Sequence, residues 1–475
     1  MNFHTTNSTM MKIILISLFL LNSPLIINAQ NCQTMTKGQA VADMDYFLKI
    51  AEETHMNLYA KLSKASAMAI RDSLIGQMPE SLSIDNFAAL AVPFSNRFGD
   101  GHTVINMPIS MYADSIKVMP FTVKIIDGRI FIDEIVNGSW TEYLQPGDGI
   151  LAINAVKAAD IIEKILPYMG GELMPGKMYR MQRGFVAWVR YFFGENIDLN
   201  LERNSSVFTI KAPTITRSER GKNLSVLENY SFRFLENNVA YLELNSQQGY
   251  SKGQFQTFLE EVFAKISASD CKNFIIDIRK DGGGNSMFGN MLLSYIAPKP
   301  YKLWQRYEMK TSSLEKRAFR QYILKWYMYP LYPLLAIPKE TRAIFFKKNG
   351  SITSCYIEES TPKKVNNKFT GKTYVLTGAG TYSAGADFLV PIKHYNMATV
   401  IGEPVSQPYS GYIDFLEFQL PNSRLRAGTS FKYYEYVGMT ESNKYQGIEP
   451  DSIVERTIGP KDNVLVYTLQ LIKNN

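Results

Sequence analysis

"KTYVLTGAGTYSAGADFL", residues 372–389, passes from an apolar run through a small-residue turn into a helical pattern. The run from Lys372 to Thr377 indicates a buried strand, and one serine, Ser383, stands among the glycines and alanines that follow. A turn of this kind exposes a serine hydroxyl beside the free N–H groups of a helix start, as a nucleophile requires. The same residues also fit a serine that only caps a helix. This stretch by itself leaves both interpretations open.

Strands and helices alternate on both sides of this turn. The predicted strands are "NNVAYLELNS" (237–246), "NFIIDIR" (273–279) and "ATVIGE" (398–403), with "GQFQTFLEEVFAKISAS" (253–269) and residues 287–297 as helices between them. Such alternation predicts crossover units and a mostly parallel sheet. Upstream, residues 36–98 show helical periodicity and residues 118–165 show short alternating strands, with a hairpin signal at 127–128.

The composition bounds the class of protein. At 475 residues the chain is long enough for two to four domains. Lys12 precedes an apolar run from Ile13 to Ala29, which predicts a secretory signal peptide cleaved after Ala29 and an exported protein of the periplasm, cell envelope or medium. No later stretch is long and apolar enough to span a membrane.

Charge and metal-binding residue types exclude several partners. Three cysteines and four histidines form no metal pattern, so we expect no metal. Residues 301–350 carry eleven Lys and Arg against three Glu within a net charge of +7. Because the protein is predicted to be exported, nucleic acid is excluded as a partner despite that basic segment.

Two further sites carry chemistry. "DIRKDGGGNS" (277–286) places three glycines after a buried strand, where bare backbone N–H groups can face a ligand or simply form a tight turn. "RFGDGHTVI" (97–105) places His102 between a helix and a strand. Histidine has the pKa of a general base near neutral pH, although a single loop histidine is often incidental.

Taken in order, these pieces resemble the tail-specific, or C-terminal processing, serine peptidases. The matching stretches are "VAYLELNS", "FIIDIRKDGGGNS", "VLTGAGTYSAGADF", "TVIGEP" and "GIEPDSIVE". Upstream, "GDGILAINAV" (147–156) resembles the closing strand of a PDZ-like domain, and "FGDGHT" (98–103) resembles the segment that supplies histidine in the tricorn-like branch.

The resemblance implies a multidomain α/β protein with an N-terminal helical region, a PDZ-like β domain and a crotonase-like, ClpP-like α/β catalytic core with a mostly parallel sheet. The predicted domains are a signal peptide (1–29), an N-terminal helical domain (30–115), a PDZ-like domain (116–200), a connecting β segment (201–235), a catalytic domain (236–460) with a basic aromatic insertion (301–350), and a C-terminal segment (461–475).

The resemblance also implies roles for individual residues. Ser383 would be the nucleophile, and the N–H of Ala384, with that of Gly283 or Gly284, would form the oxyanion hole. The lysine-dependent branch places its base a few residues after a "VGE" strand, but residues 402–411 contain no lysine here. The base is therefore expected to be His102, closer to the tricorn-like branch.

The acid that orients the histidine is less clearly marked by the resemblance. The family places it just before "GIEPD", where this chain has Lys444 to Gln446. Glu441 is the nearest carboxylate and Glu435 the second choice. The serine that precedes the histidine in the tricorn-like branch is also replaced, because position 101 is glycine.

The resulting hypothesis is an exported serine endopeptidase, without cofactor, that cleaves extended or unfolded polypeptide. The PDZ-like segment would bind the peptide as an added strand. Residues 301–350 would form a lid, a packing element or a peripheral membrane contact. Two alternatives stay open: a catalytically degenerate member that binds peptide or ligand, and an envelope scaffold or adhesin. The oligomeric state, a homo-oligomer included, is also open.

Overall fold

The computed structural model describes residues 34–136, 140–223, 228–322, 339–459 and 461–474. The predicted signal peptide (1–29), Cys32 and residues 323–338 of the basic segment lie outside these ranges. The described chain is a mixed α/β fold with several sheets, as the sequence predicts. Within it, no helix has both the length and the apolar character needed to cross a membrane.

Three helices form the N-terminal part, in the stretch whose periodicity predicts them. Their bounds, with those of two short strands, are β1 (Thr34–Thr36), α1 (Lys37–Thr54), α2 (Lys64–Gln77), β2 (Ser81–Ser83) and α3 (Ile84–Asn96). Thr36 and Gln39 form a capping box at the start of α1, and the Ser83 side chain caps α3. The loop after α3 contains His102.

Antiparallel strands follow. The elements are β3 (Val104–Ile105), β4 (Lys117–Val118), β5 (Phe121–Ile126), β6 (Arg129–Ile135), β7 (Gly149–Ile153), β8 (Val156–Lys157), α4 (Ala158–Ile165), α5 (Met174–Phe193), β9 (Asp198–Arg203), β10 (Ser206–Lys211), β11 (Ile215–Thr216) and α6 (Arg217–Asn223). One sheet has the order β10-β9-β7-β6-β5, with β8 on β7. Asp127 and Gly128 both have positive φ, as the predicted hairpin turn requires.

The C-terminal half contains ten strands and six helices among its described residues. They are β12 (Tyr230–Leu235), β13 (Val239–Leu244), α7 (Lys252–Ala268), β14 (Asn273–Asp277), α8 (Ser286–Ile296), β15 (Trp304–Lys310), α9 (Ser313–Tyr322), α10 (Lys339–Phe346), β16 (Ile352–Tyr356), β17 (Lys372–Thr377), α11 (Ala384–His394), β18 (Thr399–Gly402), β19 (Ser410–Gln419), β20 (Arg426–Tyr436), β21 (Ser452–Ile453) and α12 (Asn463–Asn474).

The main sheet has the order β12-β13-β14-β17-β18-β21, and all but β12 run parallel. Its strands are buried on both faces: alternate residues pack with α7, α8 and α11 on one side and with α12 on the other. In the register of β14 and β17, Asp277 lies opposite Leu376. The turns after these two strands therefore meet at one edge of the sheet, where open α/β sheets bind ligands.

A second sheet connects the two halves of the chain. Its order is β16-β15-β20-β19, and β3 pairs with β20. Because β3 begins two residues after His102, this pairing brings the histidine loop to the C-terminal half. The sequence predicts residues 301–350 to be an insertion, yet β15 from this segment is a strand of the sheet. β15 is rich in charged and polar residues, and only Tyr307 and Met309 in it are buried, so its apolar signal is short.

Truncating a core residue beneath the glycine turn is expected to destabilise the fold. Ile276 in β14 is fully buried, so Ile276→Ala should lower the free energy of unfolding by about 2–5 kcal/mol, measured by urea denaturation. Val207→Ala, at a site that is 60% exposed, is the control and should cost about 0.5 kcal/mol or less. Equal effects of the two substitutions would contradict the assignment of β14 to the core.

Candidate active site

Ser383 lies at a sharp turn between β17 and α11. The strand ends at Thr377 and the helix begins at Ala384, so the strand, turn and helix follow the sequence prediction. Ser383 has φ 52° and ψ −121°, a conformation that is strained for a residue with a side chain. Its side chain makes no capping hydrogen bond. The hydroxyl therefore does not serve as a helix cap.

The glycine turn after β14 packs directly on the serine turn. A Cβ placed on Gly283 would lie 2.8 Å from the Cβ of Ser383 and 2.9 Å from the Ala384 nitrogen, and Gly283 has φ +104°. A Cβ on Gly284 would lie 2.3 Å from the carbonyl oxygen of Gln247. Only glycine fits such close backbone approaches, which explains the triple glycine physically.

Some backbone N–H groups at this contact donate a hydrogen bond within the described chain and others do not. The Gly283 N–H donates to Asp281 Oδ1 at 3.0 Å. Among the hydrogen bonds within the described chain, no acceptor faces the N–H of Gly284 or that of Ala384. Two unengaged donors beside a serine are what an oxyanion hole needs, so Gly284 is favoured over Gly283 as the partner of Ala384.

A buried carboxylate holds the two turns together. Asp281 accepts from Gly283 and, at 2.8 Å, from Gln247 Nε2, which also donates to the Ala384 carbonyl at 2.8 Å. The Tyr382 N–H donates to the Asp281 carbonyl at 3.0 Å. Burial raises the pKa of Asp281 to about 7, with a smaller upward contribution from the Asp387 charge. Sequence patterns did not mark Asp281 or Gln247, because buried polar partners show no periodicity.

His102 reaches the site through the residue before the nucleophile. Its ring stacks on the Tyr382 ring, with centroids 5.3 Å apart and planes inclined by 19°. His102 Nδ1 lies 3.1 Å from the Tyr412 carbonyl oxygen and 3.4 Å from the Tyr382 hydroxyl. These oxygen neighbours favour the tautomer with the proton on Nδ1, which leaves Nε2 as the acceptor. No hydrogen bond joins Ser383 and His102 within the described part of the chain.

Asp100 is the carboxylate fixed beside the histidine. Its Oδ1 accepts from the His102 backbone N–H at 2.9 Å and lies 3.7 Å from Nδ1. Its Oδ2 accepts from Thr103 and Ser430 and contacts His55 Nε2 at 3.2 Å. Burial opposes ionisation of Asp100, but the bonds and charges of the two histidines outweigh it and hold its pKa well below the usual range.

The charges around His102 favour its protonated form. Burial alone lowers the pKa of His102, but hydrogen bonding and charge from Asp100, with the charge of Glu172, raise it above its ordinary value.

Ligand atoms of Asp100, His102 and Glu172 lie within 4.8 Å of one another, the spacing of a metal site. Each of the three side chains is already within hydrogen-bond reach of protein groups, so we assign the group to placing the base.

A family comparison agrees with this geometry. The model described as "Peptidase family S41" matches residues 238–454, which contain both turns and Ser383. Residues 238–454 of the chain belong to peptidase family S41. As an S41 chain it is a serine-type peptidase of the tail-specific, C-terminal processing kind, which confirms the family resemblance. No curated protein sequence matches the chain.

Several solved structures are similar to this S41 peptidase. Mature CPAF complexed with lactacystin is 12% identical, with a TM-score of 0.62 over 88% of this chain and 94% of that chain. The photosystem II D1 C-terminal processing protease is 10% identical, with a TM-score of 0.43 over 88% of this chain and 94% of that one. A putative S41 protease from Bacteroides fragilis is 16% identical, with a TM-score of 0.38, covering 76% and 84%. At 12% identity the likeness to CPAF concerns the fold alone.

The structure brings some predicted site residues of the S41 peptidase together and separates others. Ser383, Ala384 and the glycine turn form one cluster, and His102 joins it through Tyr382. Glu441 lies elsewhere: it is 84% exposed and pairs with Lys444 at 2.6 Å.

The second-choice acid is also engaged away from the histidine. Glu435 pairs with Arg306 and accepts from Gln305 at 3.2 Å. Neither predicted carboxylate contacts His102 among the described hydrogen bonds and ion pairs. Asp100, two residues before the histidine in "FGDGHT", was the signal in the sequence that could have pointed to the nearby acid.

Replacing Asp281 should slow the nucleophile while keeping the fold. Asp281→Asn leaves one acceptor where Gly283 and Gln247 both donate, so one bond is lost and the glycine turn shifts. We expect labelling of Ser383 by a fluorophosphonate to slow by roughly 10- to 100-fold. Asp198→Asn, on an exposed strand residue, is the control. An unchanged labelling rate in Asp281→Asn would show that this carboxylate does not set the turn.

Proposed function

We propose that the protein is an exported serine endopeptidase that hydrolyses peptide bonds in extended or unfolded polypeptides, with Ser383 as nucleophile and His102 as general base. One observation supports this most strongly. A strained serine stands beside two unengaged backbone N–H groups, while its neighbour Tyr382 stacks on His102, whose favoured tautomer leaves Nε2 as an acceptor.

The acylation step uses these groups in turn. Ser383 Oγ attacks the scissile carbonyl carbon, and its proton passes to His102 Nε2. The carbonyl oxygen becomes an oxyanion held by the N–H groups of Ala384 and Gly284. As the intermediate collapses, the carbon–nitrogen bond breaks and His102 gives its proton to the leaving amine. Water then hydrolyses the serine ester by the same sequence, with His102 again taking and returning the proton.

The proposal requires a contact that closes on substrate binding. Catalytic hydrogen bonds in substrate-free enzymes are often long and tighten in the complex. The His102 ring is held on its Nδ1 side by oxygens, so Nε2 is the only ring nitrogen available to Ser383. We assign the orienting role to Asp100, since it is buried, ionised and 3.7 Å from Nδ1.

Extended substrates are supported by the arrangement of the sheets. The antiparallel sheet in the predicted PDZ-like region ends on β5, an edge strand of the kind that an extended peptide can join. Side chains of Gln182 and Arg220 now bind its Ile125 N–H and its Phe121 carbonyl, and an added strand would displace them. The N-terminus of α5, from the same region, packs on the active-site edge: a Cβ on Gly176 would lie 2.7 Å from Ser406. A peptide bound on this region would thus lie close to Ser383.

Substitution of the two catalytic side chains tests the proposal. Ser383→Ala and His102→Ala should each lower the cleavage of unfolded casein by about 10³-fold or more, because the nucleophile or its base is lost. Circular dichroism and thermal unfolding establish that both variants fold. His394→Ala, at the end of α11, is the matched histidine control and should retain activity. Undiminished cleavage by either catalytic variant would refute the assignment.

Export and peripheral contact with an anionic membrane surface complete the proposal. Residues 1–29 have the charged start and apolar run of a signal peptide, which supports export. Lys316, Arg317 and Arg320 of α9 line an open cavity of about 570 Å³ on the basic segment, which supports contact with an anionic surface. Cell fractionation should find a mature chain beginning at Gln30 in the envelope fraction and released by about 0.5–1 M salt, since salt screens such contacts. A chain that keeps Met1 in the cytosolic fraction would contradict export.

A further inference from the structure

Glycine at position 101 has a structural cause. A Cβ on Gly101 would lie 2.3 Å from the Tyr382 hydroxyl oxygen and 3.2 Å from Cζ. Contacts of 2.3 Å do not occur between such atoms, so a side chain at 101 and the tyrosine hydroxyl exclude each other. The hydroxyl of Tyr382 therefore fills the space next to the histidine that a side chain at position 101 would need.

The Tyr382 hydroxyl is held by a carboxylate. It donates to Glu172 Oε2 at 2.9 Å, with Oε1 at 3.1 Å. Since its single proton points to Glu172, the hydroxyl oxygen faces His102 Nδ1, 3.4 Å away, as a second acceptor beside the nearer Tyr412 carbonyl oxygen at 3.1 Å. Glu172 Oε1 also accepts the Gly101 N–H at 3.0 Å. One carboxylate thus binds both the backbone before the histidine and the hydroxyl beside its ring.

Glu172 comes from a different part of the chain than the nucleophile. It lies two residues before the start of α5. Arg180 of that helix stands 4.7 Å from the Tyr382 ring centroid and donates to the Gly170 carbonyl at 2.9 Å. Tyr382 is buried, and burial together with the Glu172 charge raises its pKa well above the usual range, so it stays a neutral donor.

We infer that Glu172 and Tyr382 are a positioning pair for the catalytic histidine: Glu172 orients the tyrosine hydroxyl, and the hydroxyl with the Gly101 backbone holds His102 in its productive tautomer and place. This inference rests on the proposed function of Ser383 and His102. It assigns to the segment before α5 a direct part in placing the base, across the interface with the peptidase core.

The charged and titratable groups around His102 determine how each substitution changes the pKa of this histidine. Asp100 and Glu172 are the acids near the ring, Arg180 is the nearby cation, and Tyr382 is neutral. His55, which follows the last residue of α1, contacts Asp100. Among the described contacts it has none with the His102 ring. Removing the Glu172 charge lowers the pKa of His102, so deprotonation of the base, and the rise in rate with pH, moves to lower pH.

The test follows fluorophosphonate labelling of Ser383 against pH. In this reaction Oγ bonds to phosphorus, the P–F bond breaks, fluoride leaves and the serine proton passes to His102, so no natural substrate is needed. Glu172→Gln should lower the limiting rate by roughly 10- to 100-fold and shift the midpoint of the acid limb down by about one pH unit. Glu163→Gln, on the exposed face of α4, should match wild type.

The Tyr382→Phe variant distinguishes the effect of the tyrosine hydroxyl from the effect of the Glu172 charge. It keeps the ring that stacks on His102 and removes only the hydroxyl, so the limiting rate should fall while the midpoint moves less than in Glu172→Gln. A purely structural role for either residue would lower stability without moving the midpoint. If one variant fails to fold by circular dichroism, the other decides the inference.

A substitution pair tests the exclusion between position 101 and the hydroxyl. Gly101→Ser alone should slow labelling by roughly 10-fold or more, because its Cβ collides with the tyrosine oxygen. In the Tyr382→Phe background the same substitution should be tolerated, and the double variant should label faster than Gly101→Ser alone. Additive losses would overturn the claim that the hydroxyl fills this space.

Two failures are distinguishable. If wild type labels at Ser383 while Glu172→Gln and Tyr382→Phe both match Glu163→Gln in rate and midpoint, the positioning pair is refuted and the proposed function stands. If wild type is not labelled at Ser383, or Ser383→Ala cleaves casein as wild type does, the proposed function fails and the positioning pair falls with it.

Discussion

The parallel pairing of β14 with β17 is the constraint on which the active site depends. Because Asp277 lies opposite Leu376, the two strands end side by side and their turns cannot avoid each other. Glycines at 283 and 284 let one backbone come within van der Waals distance of the other, and the N–H groups of Gly284 and Ala384 at this contact have no acceptor among the described residues. A slip in the strand register would separate the nucleophile from the Gly284 N–H and leave only that of Ala384 beside it.

The histidine reaches this edge by a different kind of constraint. It lies 280 residues before Tyr382, and no strand of the main sheet contains it. The short ladder between β3 and β20 and the core shared by α1, α3 and the antiparallel sheet hold its loop in place. The active site is therefore built where three parts of the chain meet, and the stability of that meeting is a condition for catalysis.

Buried acidic groups determine the protonation and hydrogen bonding at this junction. Burial opposes ionisation of both acids, but the two histidines hold the pKa of Asp100 well below its usual range, whereas burial raises the pKa of Asp281 to about 7. The same burial that penalises an unpaired acid strengthens every pairing that exists. The acidic pair beside His102 favours the imidazolium that forms when the serine proton is taken, while the carboxylate below the glycine turn acts only through hydrogen bonds.

Local patterns in the sequence determined the strand from Lys372 to Thr377, the helix after Ser383, the glycine turn and the family, since each depends on residues close in the chain. Only the tertiary structure decided which carboxylate faces the histidine. Glu441 is near in the motif but lies in solvent with Lys444, whereas Asp100 and Glu172 converge on the ring from separate segments. Contacts between distant segments leave no periodic pattern in a single sequence. They are determined by burial and strand register, whereas a sequence pattern reports only on residues that are close along the chain.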